Sequence, residues 1–139
     1  MREILFRGKR KDNGEWIEGY YVEARDYLTG EVITYIFPTD ITLYPHSEFS
    51  GCEEVIPETV GQFTGLIDDL GNKVFDGDIV KGQKLYDVGC YPNYVTLTTP
   101  VTYDDDLCVF KPLHKFVING PVMVVGNIYD NPELLGVHS

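Results

Sequence analysis

The segment from Gly61 to Lys81 places two tight-turn signals within a few residues of each other. They leave room only for strands between them. Asp68-Asp69-Leu70-Gly71-Asn72 is the first turn, with Gly71 and Asn72 the positions that tolerate positive φ. Asp76-Gly77-Asp78 is the second. Phe63–Ile67, Lys73-Val74-Phe75 and the run starting at Ile79-Val80-Lys81 are the intervening strands. Turns this closely spaced suit a small barrel or a sandwich.

The rest of the chain follows the same pattern. Ten Tyr, seven Phe and one Trp stand mostly beside Val, Ile and Thr, residues that fit a pleated, half-buried surface better than a helix. Glu3 to Lys9 alternates, Asp12-Asn13-Gly14 is a hairpin turn, and Trp16 to Val22 returns as a strand. Tyr27-Leu28-Thr29-Gly30 turns into Val32 to Phe37. Pro38 to Ser50 reads as a loop with a short strand at Ile41–Tyr44. Pro57-Glu58-Thr59-Val60 fits either a helical turn or an extended entry. The pattern weakens from Gly82 to Pro92, which predicts a mobile loop. It resumes from Tyr94 to Tyr103, where Pro100 marks an edge or a bulge. Asp104-Asp105-Asp106 is a turn; Leu107–Phe110, Phe116–Ile118 and Val122–Val125 are strands, with Asn119-Gly120 a further turn. Asn131 as N-cap, Pro132 at the first helical position and Gly136 as a stop predict one short C-terminal helix.

At 139 residues the chain fits one domain and can bury about two thirds of its unfolded surface. Three cysteines, Cys52, Cys90 and Cys108, are odd in number and widely spaced, unlike a disulfide framework. The N-terminus lacks the apolar run of a signal peptide and no stretch is long enough to span a membrane. A cytoplasmic protein with reduced thiols is expected.

A net charge of −11 opposes general affinity for nucleic acid or anionic lipid. The basic residues are concentrated, however: Arg2, Arg7, Lys9, Arg10 and Lys11 make up five of the eleven Lys and Arg. With Tyr20 or Tyr21 for stacking, they are the residues a nucleic-acid-binding small barrel would use. The simpler account is a solvated basic strand on an acidic domain.

Asp68, Asp69, Asp76 and Asp78 cluster as oxygen ligands for a hard cation would, and a metal-assisted hydrolase would draw on them. The spacing fails a Ca²⁺ loop, since the third position from Asp68 is Leu70 and no Glu closes the twelfth. Asp at turns bonds to its own backbone, which is the reading favoured here. The three adjacent carboxylates of Asp104–Asp106 read as a solvated turn. His46 with Cys52 and Cys108 with His114 are spaced too widely for a typical zinc pair. Ser47, Ser50 and Ser139 sit in loop or tail with no nucleophile elbow. No metal, cofactor or catalytic residue is assigned. Gln62 and Thr64, flanked by Gly61 and Gly65, mark a close crossing of backbones or, less economically, a ligand site shared with Asp68 and Asp78.

Three blocks of sequence then coincide with a known pattern. The run Ile56-Pro57-Glu58-Thr59-Val60-Gly61-Gln62-Phe63-Thr64-Gly65-Leu66 continues through Asp68, Gly71 and Asn72 to Gly77-Asp78-Ile79-Val80. It resembles the signature of the YopX family, small proteins encoded by bacteriophages and prophages. The opening Met1-Arg2-Glu3-Ile4-Leu5-Phe6-Arg7 and the close Val125-Gly126-Asn127-Ile128-Tyr129-Asp130-Asn131-Pro132-Glu133-Leu134-Leu135 are similar to the ends of that family. The resemblance implies a mainly β fold with partly open small barrels, one of them like a Src-homology barrel. It implies a single domain over 1–139, with an N-terminal hairpin region (1–55) and a C-terminal barrel (56–139). It also implies phage or prophage origin in a bacterial cytoplasm, and brings no activity or catalytic residues with it. The function expected is accessory and non-catalytic, exerted through contacts with a host or phage protein or with further copies of the chain.

Overall fold

In the computed structural model the chain is mainly β, built from antiparallel sheets. The structure describes residues 3–39, 52–88, 91–113 and 122–135. Its strands are β1 (Phe6–Lys9), β2 (Trp16–Arg25), β3 (Val32–Pro38), β4 (Glu53–Glu54), β5 (Gly61–Ile67), β6 (Lys73–Phe75), β7 (Asp78–Val88), β8 (Tyr91–Pro100), β9 (Thr102–Asp104), β10 (Val109–Lys111) and β11 (Val122–Asn127). They divide into two compact units, Met1–Phe63 and Thr64–Ser139. Among the described residues no sheet closes into a barrel. No described helix is long and apolar enough to cross a membrane.

The first unit carries the antiparallel strands β4-β3-β2-β1 in that order, with the start of β5 paired to β1. The turn after Arg10 is set by Asn13, whose side-chain oxygen accepts the Glu15 N–H at 2.9 Å. Trp16 then falls opposite Lys9, and Gly19 opposite Phe6. One face of this sheet is core: Gly8, Thr34 and Ile36 are buried on it. Val55 lies against Gly8, 3.2 Å from where a side chain there would begin. Pro57–Thr59 is a 3-10 turn, which settles the alternative left open by the sequence. Its Thr59 hydroxyl donates to the Ile56 carbonyl (2.6 Å) and accepts the Lys9 N–H (2.9 Å), so the turn is tied to β1.

A close approach of backbones occurs at Gly19 and not at Gly65, where one was expected. A Cβ on Gly19 would lie 1.8 Å from the Phe37 carbonyl oxygen, far inside contact distance. Gly65 has φ of 90° with open space around it, so glycine serves there for its backbone conformation.

In the second unit β7 pairs with β8 on one edge and β11 on the other. Val74, Val80 and Val101 form its buried centre, with Phe110, Leu113, Val122 and Val124 packed against them. β11 carries a bulge between Val124 and Gly126, which leaves Val125 40% exposed. The expectation of a mobile loop from Gly82 to Pro92 is corrected: Gly82–Val88 and Tyr91-Pro92 are ladder residues, with Val88 opposite Tyr91. Cross-strand backbone bonding continues there although side-chain alternation fades. Pro100 closes β8, an edge strand, as expected. The short C-terminal helix is replaced by a 3-10 turn at Pro132–Leu134. Asn131 makes no capping bond; its side-chain oxygen instead accepts the Asn127 N–H at 3.2 Å. The expected strands at Ile41–Tyr44 and Phe116–Ile118 and the turn at Asn119-Gly120 lie outside the described residues.

Gly19→Ala tests the packing of β2 on β3. Because the obstructing atom is backbone, the strands must separate, and a loss of about 3 kcal/mol or more is expected in urea denaturation. A loss below about 1 kcal/mol, the ordinary cost of a surface change, would show that the crossing is looser than described.

Candidate functional site

The carboxylates singled out by the sequence occupy two consecutive turns of the second unit. Asp68, only 6% exposed, caps the β5–β6 turn: one oxygen accepts the N–H groups of Asn72 (2.7 Å) and Leu70 (3.0 Å). The other accepts the Asn72 side-chain amide (3.2 Å) and the Val124 N–H of β11 (3.0 Å). Burial, the largest single influence, pushes this carboxyl upward. The bonds from Val124, Asn72 and Leu70 together outweigh it and hold the group below its ordinary value. Asp69 exchanges backbone and side-chain bonds with Val122, its N–H donating to the carbonyl (3.1 Å) and its carboxylate accepting the N–H (3.2 Å).

Asp78, 1% exposed, accepts the Phe75 N–H at 2.8 Å and so closes the Asp76-Gly77-Asp78 turn on itself. Gly77 takes φ of 93°, and the Tyr129 ring lies 3.2 Å from where its Cβ would stand. Gly77 and Asp78 also bond to Val101 on both sides and Gly77 to Ile128. Asp68 meets β11 at Val124, whereas Asp78 is the ladder partner of Asn127. Among the described residues no three His, Cys, Asp or Glu side chains gather as a metal-binding set. The Thr64 hydroxyl donates to the Val74 carbonyl (2.8 Å) and accepts the Leu66 N–H (3.2 Å); Gln62 is half-buried opposite Phe6. His46, Cys90 and His114 lie outside the described residues. Cys52 is half-buried and Cys108 exposed. Asp104 caps its own turn, accepting the N–H groups of Asp106 (2.9 Å) and Leu107 (3.2 Å), and pairs with Lys111.

A different constellation emerges on the first unit. Residues opposite one another in an antiparallel ladder share a face. Arg7 opposes Glu18 and Lys9 opposes Trp16; across β2, Tyr20 opposes Phe37, Val22 opposes Tyr35 and Ala24 opposes Ile33. This is the face away from Gly8 and Ile36. The Arg7 guanidinium lies 4.6 Å and the Lys9 ammonium 5.5 Å from the Trp16 ring centroid. Beyond them runs an aromatic row: Tyr20 is 52% and Val22 39% exposed, with Trp16, Tyr35 and Phe37 half-buried.

The other basic residues are directed elsewhere. Arg10 pairs with Asp12 (2.8 Å) and Glu53 (3.2 Å), and Lys11 with Glu54 (3.3 Å). Arg2 lies outside the described residues. Tyr21 faces the core side, its ring 5.4 Å from that of Phe6 and its hydroxyl bonded to Glu23, which raises the phenol above its ordinary pKa. Tyr35 and Phe37 were not singled out by the sequence reading. Val32 to Phe37 is apolar at nearly every position, so alternation does not reveal its outer face.

A family model described as YopX protein matches residues 5–136. The chain belongs to the YopX family. Protein EF1440 from Enterococcus faecalis has a solved structure similar to this one, with a TM-score of 0.52 and 22% identity, covering 97% of this chain and 99% of that one. At that identity the likeness shows the fold alone. No curated protein matches the chain.

Asp68→Ala is expected to cost about 2–3 kcal/mol by leaving buried N–H groups without an acceptor. Because the native carboxyl is held below its unfolded value, its contribution is complete above about pH 4 and is lost as pH falls through the native value. The gap between wild type and variant should therefore narrow in urea titrations from pH 5 down to pH 2. A gap independent of pH would contradict the capping role.

Proposed function

We propose that this YopX-family protein is a non-catalytic accessory protein of phage or prophage origin, acting in a bacterial cytoplasm by binding a host or phage protein. The observation that carries this reading is the aromatic row of the N-terminal sheet, with Tyr20 more than half exposed at its middle. Tyr and Trp on a rigid sheet supply large contact area at small entropic cost. Arg7 and Lys9 stand at one end of the row, so the partner fitting it presents an apolar strip with carboxylates at the matching end. That Asp68, Asp78 and Thr64 each bond to backbone groups of the fold supports the non-catalytic part. For residues 56–139 a partly open small barrel remains part of the proposal, supported by the pairing of β7 on both edges.

Tyr20→Glu places a charge in the row at an exposed position, so melting should change little. Wild-type protein immobilised with bacterial host lysate should retain a discrete protein carrying an apolar, acidic surface, and the variant should lose it. Equal retention by both, or none by either, would sink this reading.

Nucleic-acid binding is the second reading, favoured by Arg7, Lys9, Trp16 and Tyr20 sharing one face. Trp16 is the only tryptophan and so reports directly. Single-stranded oligonucleotide should quench its fluorescence at low salt and lose affinity steeply as salt rises. Unchanged fluorescence at low salt would remove this alternative.

A further inference from the structure

The β2–β3 hairpin ends in a turn whose side chains are unusually bare. Tyr27 is 98% and Leu28 89% exposed, values close to those of an unfolded chain. The backbone beneath them is nevertheless fixed. The Asp26 carboxylate accepts the N–H groups of Leu28 (2.8 Å) and Thr29 (3.0 Å), Gly30 donates to the Asp26 carbonyl (2.9 Å), and Arg25 donates to the Gly30 carbonyl (3.1 Å). A pinned turn presenting two large apolar groups loses little entropy when they are buried. Glu31, exposed beside the turn, gives this apex an acidic flank.

A complementary feature lies on the outer face of the β11-β7-β8 sheet. Lys81 opposes Met123 and Gln83 opposes Thr96, so these four side chains share a face. With Gly82 they line a mostly apolar cavity of about 150 Å³. The depression is open to solvent on one side, and Met123 adapts its shape to what enters. Lys81, exposed at the rim, supplies the opposite charge to Glu31.

We propose that the apex of one copy seats Leu28 in the Lys81–Met123 cavity of a second copy, with Tyr27 covering the rim and Glu31 meeting Lys81. Each contact joins the apex of one copy to the cavity of another. The area involved is small, so association is weak and concentration-dependent. The surface is separate from the Tyr20 row and does not depend on the function proposed above.

Sedimentation velocity of the full chain at about 0.15 M salt, where repulsion between acidic copies is screened beyond roughly 8 Å, provides the test. The wild-type sedimentation coefficient should rise steadily with concentration. Leu28→Asp and Lys81→Glu should each abolish the rise. Glu31→Lys should weaken it, the pair Glu31→Lys with Lys81→Glu should restore it, and Tyr20→Glu should leave it intact. A wild-type coefficient that does not rise with concentration, or a rise untouched by Leu28→Asp, overturns the proposal. Flotation of the wild-type chain, but not Leu28→Asp, with zwitterionic lipid vesicles would assign the apex to a membrane and overturn it equally.

Discussion

Half of this molecule is organised around a carboxylate with its charge turned inward. Asp68 gathers N–H groups from its own turn and from Val124, fifty-six residues further along the chain. A turn between two short strands has little to stabilise it alone, because a lone hairpin is marginal in water. Bonding through a charged acceptor is about twice as strong as through a neutral one. The carboxylate thus joins local turn chemistry to a distant strand, and Asp69 repeats the connection at Val122. With β11 fixed in this way, Val122 and Val124 are set against the centre formed by Val74, Val80 and Val101.

The same economy runs through the acidic turns, whose aspartates bond to backbone N–H groups. A cation site requires several oxygens converging on one point with lone pairs to spare. Here the oxygens of Asp68 point at backbone N–H groups, Asp78 folds onto Phe75, and Asp104 caps its own turn. The surfaces proposed for recognition lie elsewhere. The outer row of the N-terminal sheet and the Tyr27-Leu28 apex both present apolar side chains on backbone that hydrogen bonds hold still. Rigid presentation of exposed aromatic groups is the property that a binding surface needs and a stable core does not supply.

Much of the fold was legible in the residues. The turns at Asn13-Gly14, Tyr27–Gly30, Asp68–Asn72 and Asp76–Asp78 stand where their side chains place them, because Asn, Asp and Gly create turn geometry locally. The family signature was legible partly for the same reason, since it runs through the Asp68–Asn72 and Asp76–Asp78 turns. Less visible was the continuation of β7 and β8 through Gly82–Val88 and Tyr91-Pro92, where the partner strand supplies what alternation lacks. Nor could the sequence locate the narrowest crossing. Gly19 looks like any strand glycine until Phe37 of β3 is laid across it.

The amino-acid sequence by itself determined a mainly β chain, its principal turns, its family and the capping role of its turn aspartates. Each follows from interactions among residues close together along the chain. Only the tertiary structure decided which of the basic residues share a face with Trp16 and Tyr20. Register fixes that choice: a shift of one residue sends every side chain to the other side of the sheet. Arg7 and Lys9 therefore join the aromatic row, while Arg10 is turned toward Glu53.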